Sequence, residues 1–278
     1  MKILYIAEVV GKAGIFCLKK TLGTLKSELK ADAVIVCADG ATNSSGLGRQ
    51  HAGYIKKLGA DVITLGDLCF YKKDLAENMH EIPRVLRPAN LSPAAAGKGT
   101  AVITIQAPSP YAGKRLGVGV LLGQARFDKL HADNPFSALS GLTEQLRAES
   151  DAVILDFHAA ASAEKKTLFA MADGLCSAVI GSHDRVAASD EEILPNGTAV
   201  ITDAGRTGSF LSVGGCDAHE RIREYLSGIP NWTKEAWDGL ETQGVLIDIA
   251  DDGRARSIVR IRKTVKSPHA QFANDLHQ

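Results

Sequence analysis

The stretch AVILDFHAAASAEKKTLFAMADGLCSAVIGSHD, Ala152–Asp184, decides the fold. It opens on a near-continuous apolar run, AVILDF. Between Ser162 and Asp173 it passes to a helix-like spacing of Leu, Phe and Ala, and it ends on a second apolar run, SAVIG. Runs of this kind read as strands covered on both faces, and strand, helix, strand in succession is an α/β unit. The rhythm continues outward from this stretch. KILYIAEVV from Lys2, AVIVCA from Ala33, DVITLG from Asp61, AVITIQ from Ala101, LGVGVLL from Leu116 and AVITDAG from Ala199 are further strand candidates. Helix-like spacing lies between Lys12 and Leu29, Ser45 and Leu58, Lys72 and His80, and Phe136 and Arg147. The C-terminal GVLIDIADDGRARSIVRIRKTV departs from the alternation and predicts an antiparallel hairpin turning at Asp251, Asp252 and Gly253. So many strands for so few helices predict two packed sheets with helices outside.

The chain has 278 residues, of which 45% are hydrophobic, enough for one large core. We expect a single domain over residues 1–266 and a polar tail over 267–278. Lysine plus arginine count 32 and aspartate plus glutamate count 32, so no overall field draws the protein to bulk nucleic acid or to an anionic membrane. Any phosphate recognition must be local. Five scattered cysteines form no CxxC pair, which argues against a zinc knuckle or a redox motif and suits a reducing compartment. The N-terminal MKILYIAEVVG lacks a signal-peptide cleavage pattern, and no apolar run reaches the roughly 18 residues of a membrane span. A cytoplasmic protein is the expectation. The segment GIPNWTKEAWDG, with Trp232 and Trp237, reads either as a surface excursion with aromatic anchors or as a cap on a core.

Ligands of α/β sheets gather beyond the carboxyl ends of strands, so the polar residues following each apolar run carry the functional reading. They are Glu8, Asp39, Asp67, Asp156 with His158, His183 and Asp203. Singly, each has an ordinary explanation as a helix cap or a hydrogen-bonded core residue. Together they require a cation, because carboxylates within about 4 to 6 Å raise one another's pKa. That cation is a metal, an arginine, or both. Mixed carboxylate and imidazole donors suit Zn, Mn or Fe better than Ca. Gly11 and Gly14 after the first strand invite a dinucleotide-binding reading, but the third glycine of that fingerprint is absent.

Taken in order, AEVVGKAG (Ala7–Gly14), CADGA (Cys37–Ala41), LGDLCFYKKD (Leu65–Asp74), RPANL (Arg87–Leu91), DFHAAASAEK (Asp156–Lys165), ADGLCSAVIGSHDRV (Ala172–Val186) and ILPNGTAVITDAGRTG (Ile193–Gly208) resemble the YmdB-type metallophosphoesterases. The resemblance spans nearly the whole chain. It implies a calcineurin-like metallophosphoesterase fold, a two-sheet β-sandwich flanked by helices in α-β-β-α layers. It also implies a dinuclear centre that hydrolyses phosphodiesters, including 2',3'-cyclic nucleotides, and it makes a homo-oligomer reasonable.

Carried over residue by residue, the resemblance divides the site. Glu8 stands where the family has Asp in its GDVVG motif, and Asp39 where it has the bridging Glu of GEN. The Asn after that bridge is Gly40, which has no side chain to coordinate. The GNH motif becomes Gly66, Asp67 and Leu68, so Leu68 stands where the family has its catalytic His. The DFH motif keeps His158, with Ala160 in place of the following acid. Of the two histidines of GTHTH, the first survives as His183 and the second is Arg185. The second-metal set, Asp39, Asp67, His158 and His183, is therefore expected to hold one divalent ion. The first-metal set is reduced to Glu8 and the bridge, and no second metal is expected. The Arg185 guanidinium is expected to fill part of the vacated space by a bidentate pair with Glu8 or Asp39.

Two functions stay open at this point. One is a weakened phosphodiesterase, with His131 in FDKLHADNPF a candidate to replace the lost proton donor. The other is a non-catalytic scaffold that binds a nucleotide, a metal or a protein.

Overall fold

In the computed structural model, which describes residues 1–127, 130–231 and 234–268, the apolar runs form two sheets. In the first, Lys2–Ile6 pairs in parallel with Ala33–Cys37, and Val62–Thr64 and Val85–Leu86 extend that parallel run. On its other side Lys2–Ile6 is antiparallel to Leu240–Ile249, which forms the predicted C-terminal hairpin with Ala255–Val265. In the second sheet Arg115–Leu122, Ala152–His158, Ala178–Ser182 and Ala199–Ile201 run in parallel. Antiparallel edges, Thr100–Thr104 and Glu192–Ile193, flank them.

The sheets face each other across one core, in which Ile3, Ile35 and Ile247 of the first meet Val118, Ile154 and Ile180 of the second. Helices Gly11–Glu28 and Arg49–Lys57 cover the outer face of the first sheet through Leu18, Leu22, Leu25 and Ile55. Helices Pro135–Glu149 and Ser162–Ala172 cover the second through Leu139, Leu142, Leu146, Leu168 and Phe169. Each such side chain contributes about 1.5–3 kcal/mol by leaving water. The layers are α-β-β-α, as the sequence predicts.

Local chemistry sets the element ends. Helix Pro135–Glu149 starts where the Asn134 side chain accepts from Phe136 N at 2.9 Å and Pro135 opens the first turn. The helix expected between Lys72 and His80 shortens to Lys73–Ala76 and a 3₁₀ turn at Met79–Glu81. Only Leu75 and Met79 of these segments are buried, too narrow an apolar stripe to carry several helical turns. The helix expected from Ser45 begins at Arg49, because the preceding residues form a turn in which Thr42 Oγ1 accepts from Gly48 N at 2.8 Å.

All five cysteines are free and buried, which fits packing better than redox chemistry. Trp237 packs against Phe16 with ring centroids 6.0 Å apart, so this half of the tryptophan segment caps a core. Trp232 lies outside the described residues, as do 269–278 of the expected tail. Among the described residues no helix is long and apolar enough to cross a membrane.

One buried carboxyl ties the two sheets together. Asp156, on the central strand of the second sheet, accepts from Tyr5 Oη at 2.7 Å and Thr64 Oγ1 at 2.5 Å, both from the first sheet. Ser182 Oγ, from the neighbouring strand, donates to its other oxygen at 2.7 Å. Removing one donor leaves part of this carboxyl unsatisfied. Tyr5→Phe is therefore expected to lower stability by about 1–3 kcal/mol in urea unfolding followed by circular dichroism; an unchanged midpoint would deny the tie any energetic weight.

Candidate metal centre

The parallel strands of both sheets end on the same side of the sandwich, and their ends bring Asp67, His158 and His183 together. His158 Nε2 lies 2.8 Å from Asp67 Oδ1 and 3.2 Å from His183 Nδ1, and His183 Nδ1 lies 3.4 Å from Asp67 Oδ1. Adjacent ligands around an ion with bonds of about 2.0–2.2 Å stand roughly 2.9–3.5 Å apart in octahedral or tetrahedral shells. The triangle has nearly those edges, so the three atoms fit one face of a metal shell. Among the described residues no other group of three or more His, Cys, Asp or Glu donors gathers as closely.

The fold also sets the direction of the His158 ring. The Ser182 hydroxyl donates its hydrogen bond to Asp156, so its oxygen accepts from His158 Nδ1–H at 3.0 Å. Nε2 is then the nitrogen turned to Asp67 and His183, the orientation a metal ligand requires. Gly66 makes the close approach to this ring possible, because a Cβ there would lie 2.3 Å from the imidazole carbons. Burial opposes charge on His158, but its hydrogen bond to Asp67 and the carboxylates of Asp39, Asp67 and Glu8 lift it to about 9. Burial likewise opposes charge on Asp67; hydrogen bonds from His158 and His183 outweigh it and hold Asp67 below the usual carboxylate range.

Asp39, the fourth residue expected in this set, stands beside the triangle and outside the close group. Its Oδ2 is 3.7 Å from His158 Nε2. Its oxygens accept from Gly66 N at 2.7 Å and Leu68 N at 3.0 Å, which ties the turn carrying Asp67 to the neighbouring strand end. Burial pushes Asp39 up to about 7, opposed by His158 and assisted by Asp67 and Glu8. A cation held nearby would relieve that cost.

The Glu8 side of the site already holds a cation. Arg185 Nε donates to Glu8 Oε1 at 2.9 Å, and Arg185 Nη2 lies 2.7 Å from the same oxygen. The sequence-based expectation of a two-oxygen bidentate pair is corrected in this detail: both nitrogens converge on one oxygen, because the other guanidinium directions serve Gly214 O and Ser44 O, each at 3.2 Å. Burial opposes the Arg185 charge, and Glu8 more than compensates, raising its pKa. Gly40 makes the room: a Cβ there would lie 2.7 Å from Arg185 Nη2 and 2.8 Å from Glu8 Oε1. Glycine and arginine at these two positions are thus one joint adaptation.

His183 and Arg185 are presented by a short loop in which both have positive φ, 104° and 59°. Such conformations cost about 1–3 kcal/mol each in non-glycine residues and need an external hold. Fully buried Lys165 provides it, donating to Asp184 Oδ2 at 2.8 Å and Asp203 Oδ2 at 3.5 Å. Asp203 accepts from Asp184 N at 2.9 Å, and Arg206 Nη1 donates to Arg185 O at 2.8 Å. Two strand-end acids thus differ from the sequence-based expectation of one convergent edge: Asp156 ties the sheets below the site, and Asp203 anchors the loop. Lys165 and Ser182 carry no signal of this role in the sequence beyond lying in the quoted motifs. Leu68 lines a cavity next to Asp67, and its backbone N–H serves Asp39. His131 is exposed and has no hydrogen bond or ion pair with the described residues, so nothing in the geometry brings it to the triangle.

Comparison with known proteins bears on the family and the fold. A family model described as YmdB-like protein matches residues 4–261. The chain is 32% identical over 272 residues to the 2',3'-cyclic-nucleotide 2'-phosphodiesterase of Bacillus subtilis (strain 168), covering 98% of this chain and 100% of the relative. A solved structure of a novel phosphatase from Mycoplasma pneumoniae superposes with a TM-score of 0.87 at 28% identity, over 98% of this chain and 96% of that one. A 5'-nucleotidase precursor from Thermus thermophilus superposes at 0.57 and 12% identity, over 99% of this chain and 57% of that one, a likeness of fold alone.

Breaking the buried Arg185–Glu8 pair leaves Glu8, 2% exposed, without a partner. Arg185→Leu is expected to cost about 3–5 kcal/mol, and Gly40→Ala, which crowds the pair, about 1–3 kcal/mol. The double variant should cost less than the sum in a urea-unfolding cycle, and strict additivity would contradict the joint adaptation.

Proposed function

The chain belongs to the YmdB-like protein family, a family of phosphodiesterases and phosphatases of calcineurin-like fold, and on that premise we propose that it binds phosphodiesters at a one-metal site with hydrolysis strongly reduced. The observation that carries the reading is the Arg185–Glu8 pair over Gly40, which occupies the half of the site that the family resemblance assigns to the first metal. Asp67, His158 and His183 would hold one divalent ion, Fe, Mn or Zn by their donor set, with Asp39 alongside. Bound there, an ion would supply Lewis-acid polarisation of a phosphoryl oxygen.

The residues of the chain supply the remainder. Arg185 neutralises Glu8 where the resemblance calls for a metal, and a guanidinium cannot generate a nucleophile from water. Ser182, held by Asp156, keeps the His158 ring aligned. Leu68, where the resemblance calls for the catalytic His, has no proton to give a leaving group. Loss of such a general acid typically costs about 10²- to 10⁴-fold in rate. Oxygen and nitrogen donors on one side, a guanidinium on the other and no proton-donating side chain at position 68 favour holding a phosphodiester over cleaving it.

Purified protein loaded with Mn or Fe is expected to contain one equivalent of metal by elemental analysis, and Asp67→Ala with His183→Ala to reduce it well below one. Turnover of 2',3'-cyclic AMP should be at least about 100-fold below that of the combined Gly40→Asn, Leu68→His and Arg185→His variant. Two equivalents of metal, or unimpaired turnover by the unaltered chain, would sink the one-metal reading.

A further inference from the structure

We propose that the outer face of helix Ala218–Ser227 is a docking surface for a protein partner whose own apolar stripe is bordered by acidic side chains. This assignment is independent of the one-metal reading. Both ends of the helix are capped: Asp217 Oδ1 accepts from Glu220 N at 3.0 Å, and Gly228, at φ 69°, donates its N–H to Glu224 O at 2.9 Å. Yet none of its 10 residues is buried. A segment this short is marginal as an isolated helix, and helices in proteins draw most of their stability from an apolar face laid on a core. Among the described residues nothing covers the apolar face of this one.

The helix is amphipathic in the inverted sense. Ile222, Tyr225 and Leu226 share one face by their i, i+3, i+4 spacing, and Ile229 lies just past the last turn. All four are exposed, Tyr225 by 84% and Leu226 by 83%. The opposite side, with Glu220 and Glu224, is the half-buried one. A surface helix that serves only its own chain turns its apolar stripe inward, whereas a stripe turned outward marks a surface that another molecule covers.

Charge decides what that molecule is. Arg221 and Arg223 border the stripe on its two sides, and each is paired from the inner side of the helix, Arg221 with Glu224 at 2.6 Å and Arg223 with Glu220 at 3.4 Å. Asn231 Nδ2 also donates to Glu220, at 2.7 Å. The acids are therefore engaged and largely covered while the arginines reach solvent: the Arg223 side chain is 68% exposed and that of Glu220 22%. Two further exposed residues extend the basic border, His219 and, beside the N-terminus of the helix, Lys234, whose carbonyl accepts from Asp217 N at 2.8 Å. A second copy of the chain would set one basic border against another, a like-charge arrangement that costs affinity. An anionic bilayer gains little from the apolar stripe of one short helix on a protein with 32 basic and 32 acidic residues. Acidic side chains flanking an apolar stripe answer both features of the surface, as when one amphipathic helix is laid against another.

Two synthetic helical peptides of about 15 residues test the assignment, each with leucine at i, i+3, i+4 and i+7, one with glutamate and the other with lysine at the flanking positions. In fluorescence anisotropy at low salt the glutamate peptide is expected to bind the full-length protein about tenfold or more tighter than the lysine peptide, and the difference should shrink as salt is raised. Leu226→Glu and, separately, Tyr225→Ser should abolish binding, and Arg223→Glu should reverse the preference between the peptides. All three replace exposed side chains, so unchanged circular dichroism is expected with each. Bound glutamate peptide should also slow amide exchange in Ala218–Ser227. Equal binding of the two peptides, absence of binding, or binding indifferent to Leu226→Glu and Tyr225→Ser would overturn the proposal. So would self-association in sedimentation velocity that Leu226→Glu dissolves, which assigns the face to a second copy, or flotation with phosphatidylglycerol vesicles that the same substitution prevents, which assigns it to a lipid surface.

Discussion

The buried Asp156 carboxyl is the contact on which the rest of the arrangement depends. Tyr5 and Thr64 reach it from one sheet and Ser182 from the other, so a polar group that would be costly alone becomes a fully partnered tie across the middle of the sandwich. The same group acts upward. By accepting the Ser182 hydrogen bond it leaves the Ser182 oxygen as an acceptor for His158 and turns His158 Nε2 towards Asp67 and His183. The architecture of the core and the orientation of the site are consequently one problem with one solution.

Above that tie, the site is governed by charge. Glu8 and Asp39 are almost completely buried, and Asp67 stands close to both histidines. Such a cluster persists only if positive charge accompanies it. On the Glu8 side the chain provides that charge itself, as Arg185, and accommodates it by having no side chain at residue 40. On the Asp67 side the histidines balance it and leave a triangle of donor atoms with the spacing of metal ligands. A built-in cation and a metal are alternative answers to the same electrostatic demand, and the Glu8 side of this site uses the first.

Much of this was legible in the amino-acid order. Apolar runs of strand length alternate with helically spaced segments, and burial on both faces leaves such runs little choice but the interior of a layered sandwich. Residues immediately after those runs fall at one end of the sheets, so the convergence of Asp39, Asp67, His158 and His183 follows from topology. The helix between Lys72 and His80 is shorter than its pattern suggests, because helical spacing does not reveal how much of a stripe finds a core to cover. The roles of Asp156 and Asp203 were hidden for a related reason: an acid at a strand end looks the same whether it faces a site, a neighbouring sheet or a buried lysine.

The sequence by itself determined the layered fold and the edge on which the site lies. Only the tertiary structure decided that Arg185 pairs with Glu8, that Gly40 is the space this pair requires, that Lys165 holds the loop presenting both His183 and Arg185, and that a cavity opens beside Asp67. The physical reason is one of range. Hydrophobic periodicity is local and can be read along the chain, whereas the partner of a buried charge is chosen by distance and direction between residues far apart in sequence, 177 positions for Arg185 and Glu8, which exist only once the sheets have packed.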